Sequence, residues 1–182
     1  MKGVVFTEFL DMVDEVFGLE ITEEIIKESP TLSTGGAYTS VGTYPHEEIV
    51  GMVIALSKAT KVPVPDLIEA FGKHLFGALA SSHPEFVENA SDLFDFLNSI
   101  EEHIHVEVRK LYPDAQLPQF ETMLKTNKRM EMLYRSERSM ADLAVGLIHG
   151  AAERYKETVQ VVLEDLSSEK DGKQVKISIE RV

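Results

Sequence analysis

The chain of 182 residues contains no cysteine, and this absence excludes several kinds of chemistry. Without a thiol there is no disulfide, no thiolate nucleophile, no covalently attached c-type haem and no cysteine-based zinc site. Basic residues are also scarce, since 18 Lys and Arg stand against 31 Asp and Glu for a net charge of −13. Such an acidic chain is a poor partner for nucleic acid or for an anionic membrane surface.

Long apolar runs are missing as well. No stretch is long enough to span a bilayer, and Glu8 and Asp11 interrupt the N-terminus too early for a signal peptide. Hydrophobic residues make up 43% of the chain, which is enough to form the core of one domain of this length. We therefore expect a soluble, cytoplasmic protein. The acidic excess would suit a basic protein partner, but a solvated surface explains it more simply.

The first half of the chain has the periodicity of helices. Apolar residues recur at three- and four-residue spacing in the first helix, at Phe6, Phe9, Leu10, Val13, Val16 and Phe17. A second helix is predicted to begin after Thr22 and a third at Pro45, with a loop over 31–44 between them. A fourth helix is predicted from about 65 to 81, and a long helix from the Ser91-Asp92 cap to Tyr112.

The second half predicts strands. Two strands over 119–124 and 129–134 precede a helix over 140–155, and a hairpin joins 159–163 to 175–179 through a loop containing Asp171 and Gly172. The fold class is therefore α+β, a helical lobe followed by a lobe with a small antiparallel sheet of about four strands and packed helices. The Val62-Pro63-Val64-Pro65 break predicts the division of this single domain into lobes at 1–62 and 63–182.

Two of the six histidines, His103 and His105, lie on the long predicted helix. At roughly 100° per residue they fall on opposite edges of its apolar stripe, so periodicity does not choose between them. His105 is in line with Phe94 and Tyr112, which makes its edge slightly drier. The two rings point about 160° apart, which is a poor geometry for a shared zinc ion.

A short polar cluster follows the second predicted strand. In Tyr134-x-Ser136-x-Arg138 a phenol, a hydroxyl and a guanidinium alternate, and together they could hold a pair of carboxylates. With an upstream imidazole as an axial ligand, this set suits haem. Taken alone the cluster is weak, because such common residues recur at this spacing by chance.

Several features in order give the chain a resemblance to a known family. They are Met1-Lys2-Gly3, Phe71-Gly72, Ile104-His105-Val106-Glu107-Val108, Pro118, Tyr134-x-Ser136-x-Arg138 and Gly146-Leu147-Ile148-x-Gly150. This set, which spans nearly the whole chain, resembles the H-NOX (haem nitric oxide/oxygen binding) domains, relatives of the haem domain of soluble guanylate cyclase.

The resemblance implies a role for each of these residues. It makes His105 the axial ligand of a haem b iron, with Tyr134, Ser136 and Arg138 on the propionates and Pro118 pressing on the haem to distort it. The haem would lie between the two lobes. The plainer interpretation makes Tyr134 an ordinary half-buried strand residue and Arg138 an ordinary charge, although a helix start slightly disfavours a cation.

In this family, the residues on the haem face opposite the axial histidine, the distal side, decide which gas binds. Oxygen-binding members of the family have a tyrosine five residues after the motif arginine, and here that residue is Leu143. The other expected distal residues are also apolar: Val5, Phe9, Phe76 and Leu147. Bound dioxygen needs a hydrogen-bond donor far more than NO or CO does, so the resemblance implies NO and CO binding with little O2. Whether His74 enters this pocket stays open.

The predicted function is that of a gas sensor, not an enzyme, because no nucleophile, carboxylate pair or phosphate loop is evident. The resemblance implies that NO releases His105, and that the domain acts in trans on a histidine kinase or a diguanylate cyclase. One alternative is a haem-free, acidic helical adaptor for protein partners. A haem peroxidase is disfavoured, because no distal acid–base pair accompanies the histidine.

Overall fold

Helices fill most of the first 111 residues and return once after the first two strands. The computed structural model describes residues 1–29, 32–138, 140–168 and 173–182. The helices are α1 Gly3–Phe17, α2 Leu19–Glu28, α3 His46–Thr60, α4 Val64–Ser82, α5 Pro84–Glu88, α6 Leu93–Ser99, α7 His105–Leu111 and α8 Ala141–Arg154. None of the described helices is both long and apolar enough to cross a membrane.

Four antiparallel strands form one sheet, as the alternation of apolar residues predicts. They are β1 Gln119–Lys125, β2 Arg129–Arg135, β3 Val159–Asp165 and β4 Gln174–Arg181, in the order β1-β2-β4-β3. Met130, Met132 and Tyr134 alternate along β2 and are buried on one face, where Ile177 and Ile179 of β4 join them. The α+β fold class is confirmed, while Asp171 and Gly172 of the predicted hairpin loop lie outside the described residues.

The buried apolar residues form two clusters. The N-terminal core includes Phe6, Phe9, Ile25, Met52 and Leu56, and the C-terminal core includes Phe94, Leu97, Met130, Met132 and Ile177. Helix α4 serves both, because Phe71 and Leu75 lie in the first core and Phe76 in the second. The division of the domain at residue 62 stays a prediction.

Helices α4 and α8 pack closely where two glycines meet. A β-carbon on Gly72 would collide with the carbonyl oxygen of Leu143, and one on Gly146 would collide with that of Glu69. Gly77, one and a half turns further along α4, has nothing within 4 Å of such a β-carbon. The first two glycines are therefore required by backbone contact, and Gly77 is not.

A polar cluster joins the N-terminal segment to the loop after α7. Lys2 Nζ donates to Thr43 Oγ1 at 2.9 Å, and Thr43 Oγ1 donates to Asp114 Oδ2 at 2.8 Å. The same ammonium lies 3.5 Å from Asp114 Oδ1 and 4.9 Å from the centre of the Tyr112 ring. The first residues and the segment that follows α7 are thus held together by charge as well as by packing.

One predicted helix start is wrong, and one short helix is not predicted. Helix α2 begins at Leu19 after Gly18, so Thr22 lies buried inside it and does not cap it. Gly18 has φ 88°, and this left-handed residue turns the chain directly from α1 into α2. The short helix α5, Pro84–Glu88, is not among the helices that the sequence predicts.

The long predicted helix is interrupted. Asp92 caps α6 as expected, since its Oδ1 accepts from Asp95 N at 2.8 Å, but residues Ile100–Ile104 form a π-helical turn. There the N–H of His105 donates to the carbonyl of Ile100, five residues back. A π-turn adds a residue to the helical repeat, so the residues after it occupy a different face from the one that regular α-helical steps assign.

Candidate functional site

The two histidines of the long helix differ in burial. His105 is only 9% exposed, whereas His103, within the π-helical turn, is exposed to solvent. The regular helical wheel placed both at equal angles from the apolar stripe, and the π-turn removes that symmetry. The structure therefore distinguishes them, and His105 is the one that faces the protein.

Glu101 holds the imidazole of His105. Its Oε2 accepts from His105 Nδ1 at 3.0 Å and from the backbone N–H of Phe120 at 3.2 Å. Its Oε1 accepts from Arg109 Nη2 at 2.9 Å. Glu101 is not among the predicted site residues, although it lies four residues before His105, a spacing at which helical side chains meet.

Burial lowers the pKa of His105, and the hydrogen bond and negative charge of Glu101 partly oppose this. The ring is therefore neutral near pH 7. In the tautomer in which Nδ1 donates to Glu101, the lone pair lies on Nε2. A neutral imidazole oriented by a carboxylate is the form in which histidine coordinates metals.

A row of aromatic rings leads from His105 to Tyr134, the first residue of the Tyr134-x-Ser136-x-Arg138 motif. The centre of the His105 ring lies 5.9 Å from that of Phe120, which lies 5.4 Å from that of Tyr134. Burial raises the pKa of Tyr134, against the opposing effects of hydrogen bonds with the Ser136 side chain and the Met140 backbone. Its hydroxyl therefore stays protonated as a potential donor.

Within the described parts of the chain, the guanidinium of Arg138 bonds only to neutral groups. Nη1 donates to the carbonyl of Gln116 at 2.8 Å and Nη2 to Gln116 Oε1 at 3.1 Å, while the backbone N–H of Arg138 donates to Ser136 Oγ at 3.2 Å. Across the four described ranges of the chain, no carboxylate forms an ion pair with Arg138. Its charge is thus available to an anionic ligand.

A second cation lies near Arg138. The pKa of the Met1 amino group is lowered by burial first, and then by the positive charges of Arg138 and Lys2, with Glu47 and Asp114 opposing. Cations and carboxylates therefore both lie around this amino group, and Lys2 is paired with Asp114.

The predicted distal residues are divided between the two cores. Phe9 is fully buried in the N-terminal core, and Val5 and Leu143 pack against that core. Phe76 belongs to the C-terminal core, and Leu147 packs against both. Of these apolar side chains, Leu147 is thus the one that contacts both cores.

The remaining predicted residues lie apart from this set. Pro118 is half-buried, two residues before Phe120. His74 is half-buried in a groove between α1 and α4, where its Nε2 lies 3.4 Å from Glu8 Oε2 and its Nδ1 lies 3.9 Å from Glu15 Oε2. Both of its ring nitrogens face carboxylates of α1.

Comparison with known proteins defines the class. Residues 2–163 match the profile of the family described as Haem-NO-binding. The fold is similar to that of the Fe(II) unliganded H-NOX protein from K. algicida, with a TM-score of 0.92 and 40% identity over 100% of this chain and 97% of that one. The chain is thus a haem-based gas-sensor domain by class.

Two further H-NOX structures carry gas ligands. The Shewanella woodyi protein in the Fe(II)CO state is 37% identical, with a TM-score of 0.83 over 100% of this chain and 95% of that one. The S. oneidensis protein in the Fe(II)NO state is 28% identical, with a TM-score of 0.88; the alignment covers 100% of this chain and 99% of that one. The chain belongs to the H-NOX family, whose members bind haem and act as sensors without catalysis.

Proposed function

We propose that this protein is a sensor of NO that binds the gas at a ferrous haem b, with His105 as the axial ligand. The observation that carries the proposal is the hydrogen bond from His105 Nδ1 to Glu101, at 3.0 Å, in a buried setting that keeps the ring neutral. This bond leaves the lone pair of Nε2 to coordinate iron. The exposed His103 has no comparable setting.

Tyr134, Ser136 and Arg138 are proposed to hold the haem propionates. The absence of a carboxylate partner for Arg138 among the described residues supports this, since a guanidinium pairs well with a carboxylate. The hydroxyl of Tyr134 stays protonated and can donate beside it. Pro118, next to β1, is proposed to press on the haem and distort it.

Val5, Phe9, Phe76, Leu143 and Leu147 are proposed to form the distal pocket. Their apolar side chains exclude water and offer no hydrogen bond to a bound gas, a setting in which NO and CO bind well and O2 poorly. His74 is occupied with Glu8 and Glu15, which supports its exclusion from the pocket. The lobes proposed around the haem are residues 1–62 and 63–182.

The domain is proposed to regulate a separate partner protein, that is, to signal in trans. His105 leaves the iron when NO binds and stays in place with CO, so α7 has one fewer constraint in the NO-bound protein. A ligand controls a partner only through two states that differ in affinity for it. The partner is proposed to be a cytoplasmic histidine kinase or diguanylate cyclase, with no catalysis by this domain and no contact with nucleic acid or membrane.

The ligand assignment is tested by two alanine variants. His105→Ala is expected to lose or greatly weaken haem binding unless imidazole is supplied, because the axial nitrogen is gone. His103→Ala is the matched control, and its absorption spectrum should be unchanged. Loss of haem in His103→Ala with retention in His105→Ala would show that the assignment is wrong.

Gas selectivity is tested by spectroscopy of the ferrous protein in air. The expected result is complexes with NO and CO and no lasting complex with O2. Leu143→Tyr adds a phenol to the proposed pocket and is expected to raise O2 affinity. A stable oxygen complex of the unmodified protein would contradict an apolar distal wall.

The release of His105 is tested on the partner enzyme. NO at saturation should change the activity of the cognate kinase or cyclase much more than CO does. Equal effects of the two gases would rule out histidine release as the signal. A colourless protein without a Soret band would instead favour the haem-free adaptor, a function that the acidic groove between α1 and α4 would suit.

A further inference from the structure

We propose that Glu101 is a positioning residue that sets the strength of the bond between His105 and the haem iron, and with it the ease with which NO releases His105. The inference rests on the proposed function, since it assumes that His105 is the axial ligand. It assigns to a surface-edge glutamate a role in tuning the sensor.

The carboxylate of Glu101 accepts hydrogen bonds from three residues: His105 and Arg109 of α7, and Phe120 of β1. Its Oε2 is shared by His105 Nδ1 at 3.0 Å and the N–H of Phe120 at 3.2 Å, so the same atom links α7 to the start of β1. Its Oε1 is occupied by Arg109 at 2.9 Å. The carboxylate is thus held from both ends, with its side chain 30% exposed and that of His105 only 11%.

The position of Glu101 follows from the helix geometry. Glu101 lies in the π-helical turn and His105 is the first residue after it. The turn brings His105 to the protein side while Glu101, four residues earlier, stays at the edge and reaches back to Nδ1. The pair therefore combines a buried ligand with a partner that water reaches in part.

A carboxylate on Nδ1 changes what Nε2 can do. It fixes the tautomer with the lone pair on Nε2, and its negative charge makes the imidazole a stronger electron donor to a metal. Arg109 and the N–H of Phe120 withdraw part of that charge, because each hydrogen bond stabilises the carboxylate. The three contacts together set an intermediate donor strength.

The same contact acts after release. When the bond between iron and Nε2 breaks, the electron pair stays on Nε2 and no proton is needed. The hydrogen bond from Nδ1 to Glu101 does not involve Nε2, so the released ring keeps this bond to the carboxylate. Glu101 thus keeps His105 available to bind again when NO leaves.

Three variants separate these effects. Glu101→Gln keeps an oxygen acceptor for Nδ1 and removes the charge. Arg109→Gln keeps Glu101 and removes the cation that withdraws its charge. Glu107→Gln is the matched control, because Glu107 is an exposed glutamate of α7 paired with Lys110 at 2.6 Å and has no contact with His105.

The readouts are the iron–histidine stretching frequency of the ferrous protein and the rate at which His105 is released after NO is added. Glu101→Gln is expected to lower the frequency, speed the release and speed haem transfer to apomyoglobin about 10-fold. Arg109→Gln is expected to raise the frequency and slow the release. Glu107→Gln should match the unmodified protein in all three.

Each outcome decides the inference. If Glu101→Gln and Arg109→Gln both bind haem with an unchanged stretching frequency, the inference is overturned. If Glu101→Gln does not fold, the direction of the shift in Arg109→Gln decides alone. An unmodified protein that binds no haem overturns the proposed function, which is a distinguishable result.

Discussion

Helices α6 and α7 flank one π-helical turn, yet they differ in how they are held. Helix α6 buries Leu93, Phe94, Phe96 and Leu97 in the C-terminal core, whereas His105 is the one buried residue of α7 in the described chain. Leu111 of α7 is 58% exposed. Helix α7, which carries the proposed iron ligand, is thus held by few apolar contacts, whereas α6 is held by many.

Polar contacts also hold the start of α6. Arg181 of β4 lies with Nε 2.5 Å from Glu157 and Nη2 3.1 Å from Asp92, and its Cζ is 4.0 Å from the centre of the Phe94 ring. Glu157 also accepts from the N–H of Leu93 at 3.0 Å. Helix α6 is therefore fastened at its start by charged groups of β4 and of the segment before β3, in addition to its apolar contacts.

The largest test of this contrast replaces one leucine in each helix. Leu97→Ala removes a side chain that is 3% exposed and should cost about 2–5 kcal/mol of the free energy of unfolding, through lost burial and the cavity left behind. Leu111→Ala should change it by less than about 0.5 kcal/mol. Urea unfolding of both variants measures the difference, and equal losses would remove the contrast.

A smaller effect is expected from the charges that fasten α6. Arg181→Met breaks the ion pairs with Asp92 and Glu157 and should cost about 2 kcal/mol. Lys110→Met in α7 removes an exposed pair with Glu107 and should cost less than about 0.5 kcal/mol. The midpoints of urea unfolding give the comparison, and an Arg181→Met midpoint equal to that of Lys110→Met would contradict it.

The smallest expected effect is a change in stability at low pH. The hydrogen bond from Lys125 and then that from Ser91 hold the pKa of Asp95 below its ordinary value of 3.8. The stability that this carboxylate adds to α6 is complete above the unfolded pKa and is lost as pH falls through the lower folded pKa. Asp95→Asn should thus be less stable than the unmodified protein at pH 7, and the gap should narrow near pH 3. A gap that stays constant from pH 7 to pH 3 would exclude this linkage.

Much of the fold follows from local patterns. The strand predicted over 129–134 corresponds to β2, and the prolines at 63 and 65 predict the break before α4. The start of α2 was missed because Thr22 has the chemistry of a cap, whereas Gly18 turns the chain by its backbone alone. Helix α5 was missed because five residues give too little periodicity.

The candidate site was predictable as far as motifs reach. The motif arrangement selects His105, Tyr134, Ser136 and Arg138, and the structure brings His105 and Tyr134 to one row of rings through Phe120. The π-turn was not predictable, because hydrophobic spacing assumes a constant rise and rotation per residue. The role of Glu101 was not predictable for a different reason, since its contact with Phe120 comes from a strand 19 residues further along the chain.

Three of the four glycines of α4 and α8, at positions 72, 77 and 146, have a consequence for a library of substitutions. At Gly72 and Gly146 even alanine would force two helix backbones apart, so selection for folded protein should return glycine alone. At Gly77 the space is open, and alanine should be enriched because it favours the helix by up to about 1 kcal/mol. The same residue type in the same helix would then be invariant at one position and replaced at another five residues away.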